Sequence, residues 1–193
     1  MRTTMLLPIL AAAAAGLAAP AMAQDTDTGE VAVSGNVVPL CLLGAPSSAT
    51  VDLGNMVAVS GTRTGRIRAI GAQVVTLPAS FCNYAGSMLT VDATALVETT
   101  GGTAAAPANF ARAVNFTATA GQWGGGSAAA TSAAAASGSG ATARGTSAVQ
   151  PAPRQTDIAV TLSDFSVPGD ALLVAGDYAG IVKVTLGPST TGN

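Results

Sequence analysis

Residues 31–41, VAVSGNVVPLC, and residues 73–82, QVVTLPASFC, decide how this chain folds. In the first stretch Val31, Val33 and Val37 fall on one side of an extended backbone, and Ala32, Ser34 and Asn36 on the other. Period-two alternation predicts a half-buried strand over Val31–Val38. Gly35 interrupts the inward row, as at a bulge or a close backbone approach, and Pro39 removes a donor just before Cys41, which predicts a sheet-edge position. In the second stretch Val75, Leu77 and Phe81 are expected on one face, with Val74 and Thr76 on the other. Both stretches end in cysteine, so a bridge between them would tie two strands into a core for the rest of the chain.

Cys41 and Cys82 are the two cysteines of the chain. In an exported protein a lone pair is expected to be oxidised. No basic residue adjoins either one to activate a thiolate, and the chain has no histidine. The closed loop of about 40 residues corresponds to roughly 4 kcal/mol in the chain-entropy model, a large part of a typical stability of about 5–15 kcal/mol.

Export is read from residues 1–23. Arg2 supplies the positive start, Leu6–Ala18 the apolar core, and Ala21-Met22-Ala23 an A-x-A cleavage site, leaving Gln24 as the new N-terminus. The expected destination is the periplasm, then the cell surface or an extracellular fibre. Residues 24–193 are expected to form a single domain, beginning with a loose acidic tail, Gln24–Glu30.

Charge excludes several functions. Eight basic residues and a formal charge of −2 leave no footprint for nucleic acid and no polybasic patch for anionic lipid. Beyond the N-terminus no segment approaches eighteen strongly apolar residues, so stable membrane insertion is not expected. Without histidine, a Ser–His–Asp or Cys–His catalytic arrangement is ruled out within the chain. No metal, cofactor or enzymatic activity is expected. Asp164 and Asp170 are close enough in sequence to consider as a glycosidase-like pair, but they flank a turn, where Asp serves the backbone.

Further along, Thr50–Leu53 reads as a short strand stopped by Gly54. Arg63, Arg66 and Arg68 cluster in a loop and read as a solvated hairpin face rather than an anion site. Met88–Ala95 and Phe110–Ala118 alternate as strands. Arg112 breaks the apolar row of Phe110, Val114 and Phe116, so it has to snorkel or sit near a strand end. Trp123 reads as a core lid or turn anchor, with a carbohydrate-stacking platform as the functional alternative. Residues 124–153 are Gly, Ala, Ser and Thr with almost no large apolar side chain. They read as a flexible insertion or a pair of weak edge strands, and alanine content alone would allow a short helix over Ala128–Ala136. Strands resume at Asp157–Leu162, running on through Phe165 and Val167, then at Leu172–Val174. In the last strand, Tyr178–Leu186, the residues Tyr178, Val182, Val184 and Leu186 face inward.

About eight short strands with turn signals between them predict an all-β sandwich of immunoglobulin type, complete or one strand short, with a long low-complexity loop at 124–153. An up-and-down barrel is the runner-up. The outer-membrane kind is not expected, because the strands are short and aromatic girdles are missing.

These residues also resemble a known family. GEVAVSGNVVPLC (29–41) looks like the first strand of chaperone–usher pilus subunits. Val51–Gly54, of the form V-x-L-G, and the strand from Val75 to Cys82 follow in like order. AVNFTATAGQWG (113–124) and AGDYAGIVKVTL (175–186) are similar to the spore coat protein U branch. The resemblance implies an incomplete immunoglobulin-like sandwich with a Cys41–Cys82 bridge. It also implies a fimbrial, pilus or coat subunit assembled by donor-strand exchange, with a periplasmic chaperone, an outer-membrane usher and other pilus subunits as partners. The strand-exchange candidates are then Val31, Val33, Val37, Tyr178, Val182, Val184 and Leu186. The tail 24–30 is acidic and lacks apolar alternation, so a donor has to draw on Val31 and Val33. The alternative from the residues alone is a monomeric periplasmic or secreted sandwich that binds a glycan or small ligand, with Trp123, Tyr84 and Tyr178 as stacking residues.

Overall fold

The computed structural model describes residues 27–101, 105–140 and 142–189. The signal-peptide expectation for residues 1–23 lies outside them. The chain divides into two units, residues 1–36 and 37–193. In the first, residues 27–36 are exposed and carry no ladder pairing.

The second unit is all-β, and no α-helix occurs among the described residues. Ten strands follow in chain order: β1 Cys41–Leu42, β2 Gln73–Cys82, β3 Ser87–Glu98, β4 Phe110–Ala111, β5 Ala113–Trp123, β6 Gly126–Thr131, β7 Ala143–Thr146, β8 Arg154–Ser166, β9 Leu172–Leu173 and β10 Tyr178–Pro188. Eight of them share one hydrogen-bonded path, β1-β2-β8-β5-β3-β10, with β6 on β5 and β7 on β3; β4 and β9 form a small parallel pair. Apart from that pair, every ladder is antiparallel.

The path makes two layers because β5 changes partner along its length. Ala113 and Val114 pair with Val97 and Leu96 of β3. From Asn115 onward β5 pairs with β8 and β6 instead. Asn115 helps fix the crossover: its amide accepts from the Ala134 N–H at 2.7 Å and donates to the Ala134 carbonyl at 3.1 Å. One layer is therefore β2-β8-β5-β6 and the other β10-β3-β7. Between them lies the core, built from alternate residues: Leu77, Phe116, Ile158 and Val160 from one side, Leu89, Val91 and Ala93 from the other. The expected sandwich is the observed architecture.

β2 occupies the predicted residues, with one change of phase. Leu77 pairs with Ile158 but Ser80 with Thr156, so the strand carries one extra residue, with Ala79 at φ 50°. The bulge turns Ser80 and Cys82 inward and leaves Phe81 only half-buried, against the expectation that Phe81 would continue the Val75–Leu77 row. Cys41 lies opposite Cys82 in the β1–β2 ladder, and the two form the expected disulfide.

Four further expectations are corrected. Val31–Val38 is not a strand: Val31, Val33 and Val37 are 84%, 92% and 83% exposed and have no neighbouring strand among the described residues. Alternation gives a strand an apolar side but cannot supply the edge it must pair with. Thr50–Leu53 is likewise unpaired. Strand β5 begins only after a break at Arg112, so Phe110 and Phe116 do not share one row. And residues 124–153 are not one long loop: as the weak-strand alternative expects, they hold two paired strands, β6 and β7, with turns and coil among the other described residues. Residues Ala128–Thr131, for which alanine content alone would allow a helix, are strand, with Ala128 and Ala130 buried in the core.

Close approach explains the composition of that segment. β6 belongs to one layer and β7 to the other, and a Cβ on Gly145 of β7 would sit 1.8 Å from the Ala129 carbonyl oxygen of β6. Facing layers normally stand about 10 Å apart. Where they close to backbone contact, only Gly, Ala and Ser fit between them. Arg144, the one charged residue of the stretch, forms a bidentate ion pair across the ladder with Asp92 of β3, at 2.6 and 2.9 Å.

Candidate functional site

At the opposite end of the layers the core is open. An apolar groove of about 700 Å³ runs between β10 and the segment that follows β1. Its floor is Val75 and Leu77 of β2, Val160 and Leu162 of β8, and Phe116 of β5, whose ring lies 5.9 Å from that of Phe165. These residues follow from alternation: each is on the inward row of its strand. One wall is Tyr178–Val184 of β10. The other is the coil from Leu43 to Leu53, in which Pro46, Val51 and Leu53 turn toward the groove.

The two walls differ in how their backbones are satisfied. β10 pairs with β3 along its length, from Tyr178 opposite Glu98 to Pro188 opposite Ser87. Its other edge meets no strand among the described residues. Ile181 on this strand is 69% exposed. The coil wall is hung on β2: the Ser47 N–H donates to the Thr76 carbonyl at 2.8 Å, the Thr76 N–H to Ser47 Oγ at 3.0 Å, and the Gly44 N–H to Ser80 Oγ at 3.0 Å. Gly44 has to be glycine, because a Cβ there would fall 1.8 Å from the Pro78 carbonyl oxygen.

Burial records the same incompleteness. Trp123, Leu89, Val91 and Ile158 are fully covered, whereas Leu162, Phe165, Val182, Val184 and Leu186 are only half-buried around the same core. Tyr178, Val182, Val184 and Leu186 do face inward as predicted; the first three reach the groove, while Leu186 packs against the core beyond it. The sequence cannot show that this row lacks a covering neighbour.

Beside Tyr178, the first residue of the β10 wall, lies a buried ion pair. Glu98 has a fully buried carboxylate that pairs with Arg112 and accepts from the Thr100 hydroxyl and N–H at 2.6 Å. Hydrogen bonding from Thr100, followed by the Gly101 and Thr100 N–H groups and the Arg112 charge, outweighs burial and holds the carboxyl below its ordinary range. Arg112 thus sits at a strand break, as expected, but points inward to a partner instead of snorkelling out. Tyr178 donates its hydroxyl proton to the Val174 carbonyl at 2.7 Å. Burial first, and the nearby Glu98 charge second, push its phenol up to about 12.

The remaining candidates lie elsewhere. Trp123 is wholly buried, donates its indole N–H to Ser87 Oγ at 3.1 Å and has the Arg154 guanidinium 5.9 Å from its ring. It is a core residue and offers no ring face to a sugar, which corrects the stacking candidate. Tyr84 is half-buried and donates its hydroxyl to Cys41 Sγ at 3.2 Å. Arg63 and Arg66 converge on Asp170, the first at 2.7 Å, and Arg68 donates to the Leu53 carbonyl at 3.0 Å. The arginines so brace a turn and hold the end of the groove's coil wall. The Arg63 hydrogen bond keeps the Asp170 carboxyl below its usual range.

Asn83 was not singled out from the sequence. Its side chain accepts from the Leu40 N–H at 2.7 Å and donates to the Val38 carbonyl at 2.9 Å, and its own N–H donates to the Leu40 carbonyl at 3.0 Å. Its place directly after Cys82 is the only signal that could have drawn notice. Compared with known proteins, this chain matches no family model, no curated protein and no solved structure.

Proposed function

We propose that this chain is an exported, non-enzymatic structural subunit of a surface fibre or coat, joining copies of itself by strand addition. The observation that carries this reading is the open apolar groove beside the edge of β10 that no strand among the described residues pairs. A β-strand laid there would gain main-chain hydrogen bonds from β10 and fill the groove with alternate side chains. Val31, Val33 and Val37 offer such a row, and each valine removed from water contributes about 1.5–3 kcal/mol. Contact of this head-to-tail kind builds open filaments wherever its rotation does not close into a ring. An exposed groove and edge are also an aggregation hazard. A periplasmic chaperone that covers them before assembly, and an outer-membrane usher that receives the subunit, suit that need. The Cys41–Cys82 bridge and the leader-like residues 1–23 accord with export.

The test is thermal unfolding of the purified protein with and without a peptide of residues 24–40. A saturable rise in Tm that disappears on Val182→Asp supports strand addition. A stable protein indifferent to the peptide rules it out.

A further inference from the structure

The two walls of the groove differ in what they can offer a strand laid between them. A strand presents backbone N–H and C=O groups to both of its flanks. β10 uses one flank on β3 and keeps a row of both groups on the other. The coil Leu43–Leu53 keeps no such row. It carries no ladder pairing and bends at Ser47 and Ala49. Pro46 has no N–H to give. The Gly44 and Ser47 N–H groups are already spent on β2, at Ser80 Oγ and at the Thr76 carbonyl. Of its carbonyls, that of Thr50 accepts the Ser48 hydroxyl and that of Leu53 the Arg68 guanidinium. What this wall turns toward the groove is side chains, Pro46, Val51 and Leu53 among them.

Ser47 fixes where that wall stands. It is exposed and does not line the groove. Its N–H donates to the Thr76 carbonyl at 2.8 Å, and its Oγ accepts from the Thr76 N–H at 3.0 Å. The hydroxyl stands in for the carbonyl of a paired strand. It fastens the coil to β2 without making the coil a strand.

We propose that the groove holds an incoming strand by a one-sided ladder: β10 supplies the main-chain hydrogen bonds, the Leu43–Leu53 wall grips side chains alone, and Ser47 is the positioning residue that sets this wall. The inference rests on the strand-addition function proposed above and names what each flank of the site reads. Ser47 acts through Thr76 and touches no incoming strand.

The experiment titrates the folded full chain with three peptides of residues 24–40, reading affinity by calorimetry and the rise in Tm. One peptide is unmodified, one is N-methylated at Val31, Val33, Gly35 and Val37, and one at Ala32, Ser34 and Asn36. In an extended strand each set of methyl groups blocks one flank only. One modified peptide should bind roughly tenfold or more weakly, and the other about as well as the unmodified one. Loss of binding by both would mean ladders on both flanks, overturning the one-sided ladder while strand addition stands. Full binding by both would mean apolar packing with no ladder, overturning this inference and strand addition together. A chain indifferent to all three overturns strand addition itself. Ser47→Ala should weaken the unmodified peptide roughly fivefold with the Tm of the free chain unchanged, because water can take over the exposed Thr76 N–H. Ser47→Thr, which keeps the hydroxyl, should restore affinity, a rescue that general damage would not show. Unchanged affinity in Ser47→Ala overturns the role of Ser47.

Discussion

The indole N–H of Trp123 donates to the Ser87 hydroxyl at 3.1 Å, and both residues are fully buried. β5 and β3 are pinned together there, at the closed end of the core. Ser87→Ala leaves the indole donor without its partner, and should cost about 1–3 kcal/mol. Trp123→Ala should cost about 3–5 kcal/mol, through lost burial and the cavity left behind. Urea unfolding midpoints measure both. Trp fluorescence should stay unchanged across a panel of glycans, and a saturable shift would contradict the buried placement.

Gly145 should tolerate no side chain. Its Cβ would collide with the Ala129 backbone, which cannot swing aside as a side-chain tip could. Gly145→Ala is expected to destabilise by at least about 1–3 kcal/mol. Arg144→Ala, one residue away on the exposed face, should cost far less, because a solvent-exposed ion pair contributes little. Equal effects of the two in thermal unfolding would argue against backbone contact between β6 and β7.

Acid should weaken the fold through three carboxylates. Hydrogen bonds hold Glu98 (Thr100), Asp92 (Arg144) and Asp170 (Arg63) below their ordinary range. A folded-state pKa below the unfolded one gives stability that is fully present above the unfolded value of about 4. It is lost as pH falls through the folded values, because the unfolded chain then binds protons first. Urea midpoints should therefore fall steadily below about pH 4. Glu98→Gln should flatten that slope while lowering stability at pH 7, since Arg112 keeps its charge beside a neutral amide.

Alkali should act through Tyr178. Its phenol titrates near 12 in the folded chain, against an ordinary value of about 10. The raised pKa gives stability that is intact below about pH 10 and lost as pH climbs toward 12. In a Tyr84→Phe background Tyr178 is the sole tyrosine, so phenolate absorbance reports it alone. A midpoint near 12 is expected, moving higher still when the 24–40 peptide covers the groove. A midpoint near 10 would mean that the ring is not buried as described.

Strands whose inward residues are large announced themselves in the sequence. Val75 and Leu77, Ile158 and Val160, and Val182 and Val184 alternate as clearly in the chain as in the core. The cysteines marked their own pairing. β6 and β7 were harder to see, because Ala and Gly carry little of the contrast between apolar and polar on which period-two reading depends. Their strand character comes from neighbours 14 to 52 residues away, as in Thr117–Thr131 and Asp92–Arg144. Trp123 illustrates the converse. A tryptophan among glycines is compatible with a lid or a platform, and only the Ser87 hydroxyl and the covering layers make it a core residue.

By itself, then, the sequence determined the class of fold, the disulfide, the rows of side chains that can be buried, and the balance of charge. All of these are local properties of backbone geometry and side-chain chemistry. Tertiary structure alone decided which apolar rows find a neighbour. Val31, Val33 and Val37 alternate as well as Val182 and Val184 do, yet the first set is exposed while the second lines a groove. A strand is completed by hydrogen bonds to an edge distant in sequence. Whether an edge is free, as that of β10 is among the described residues, becomes visible only when all the other strands have taken their places.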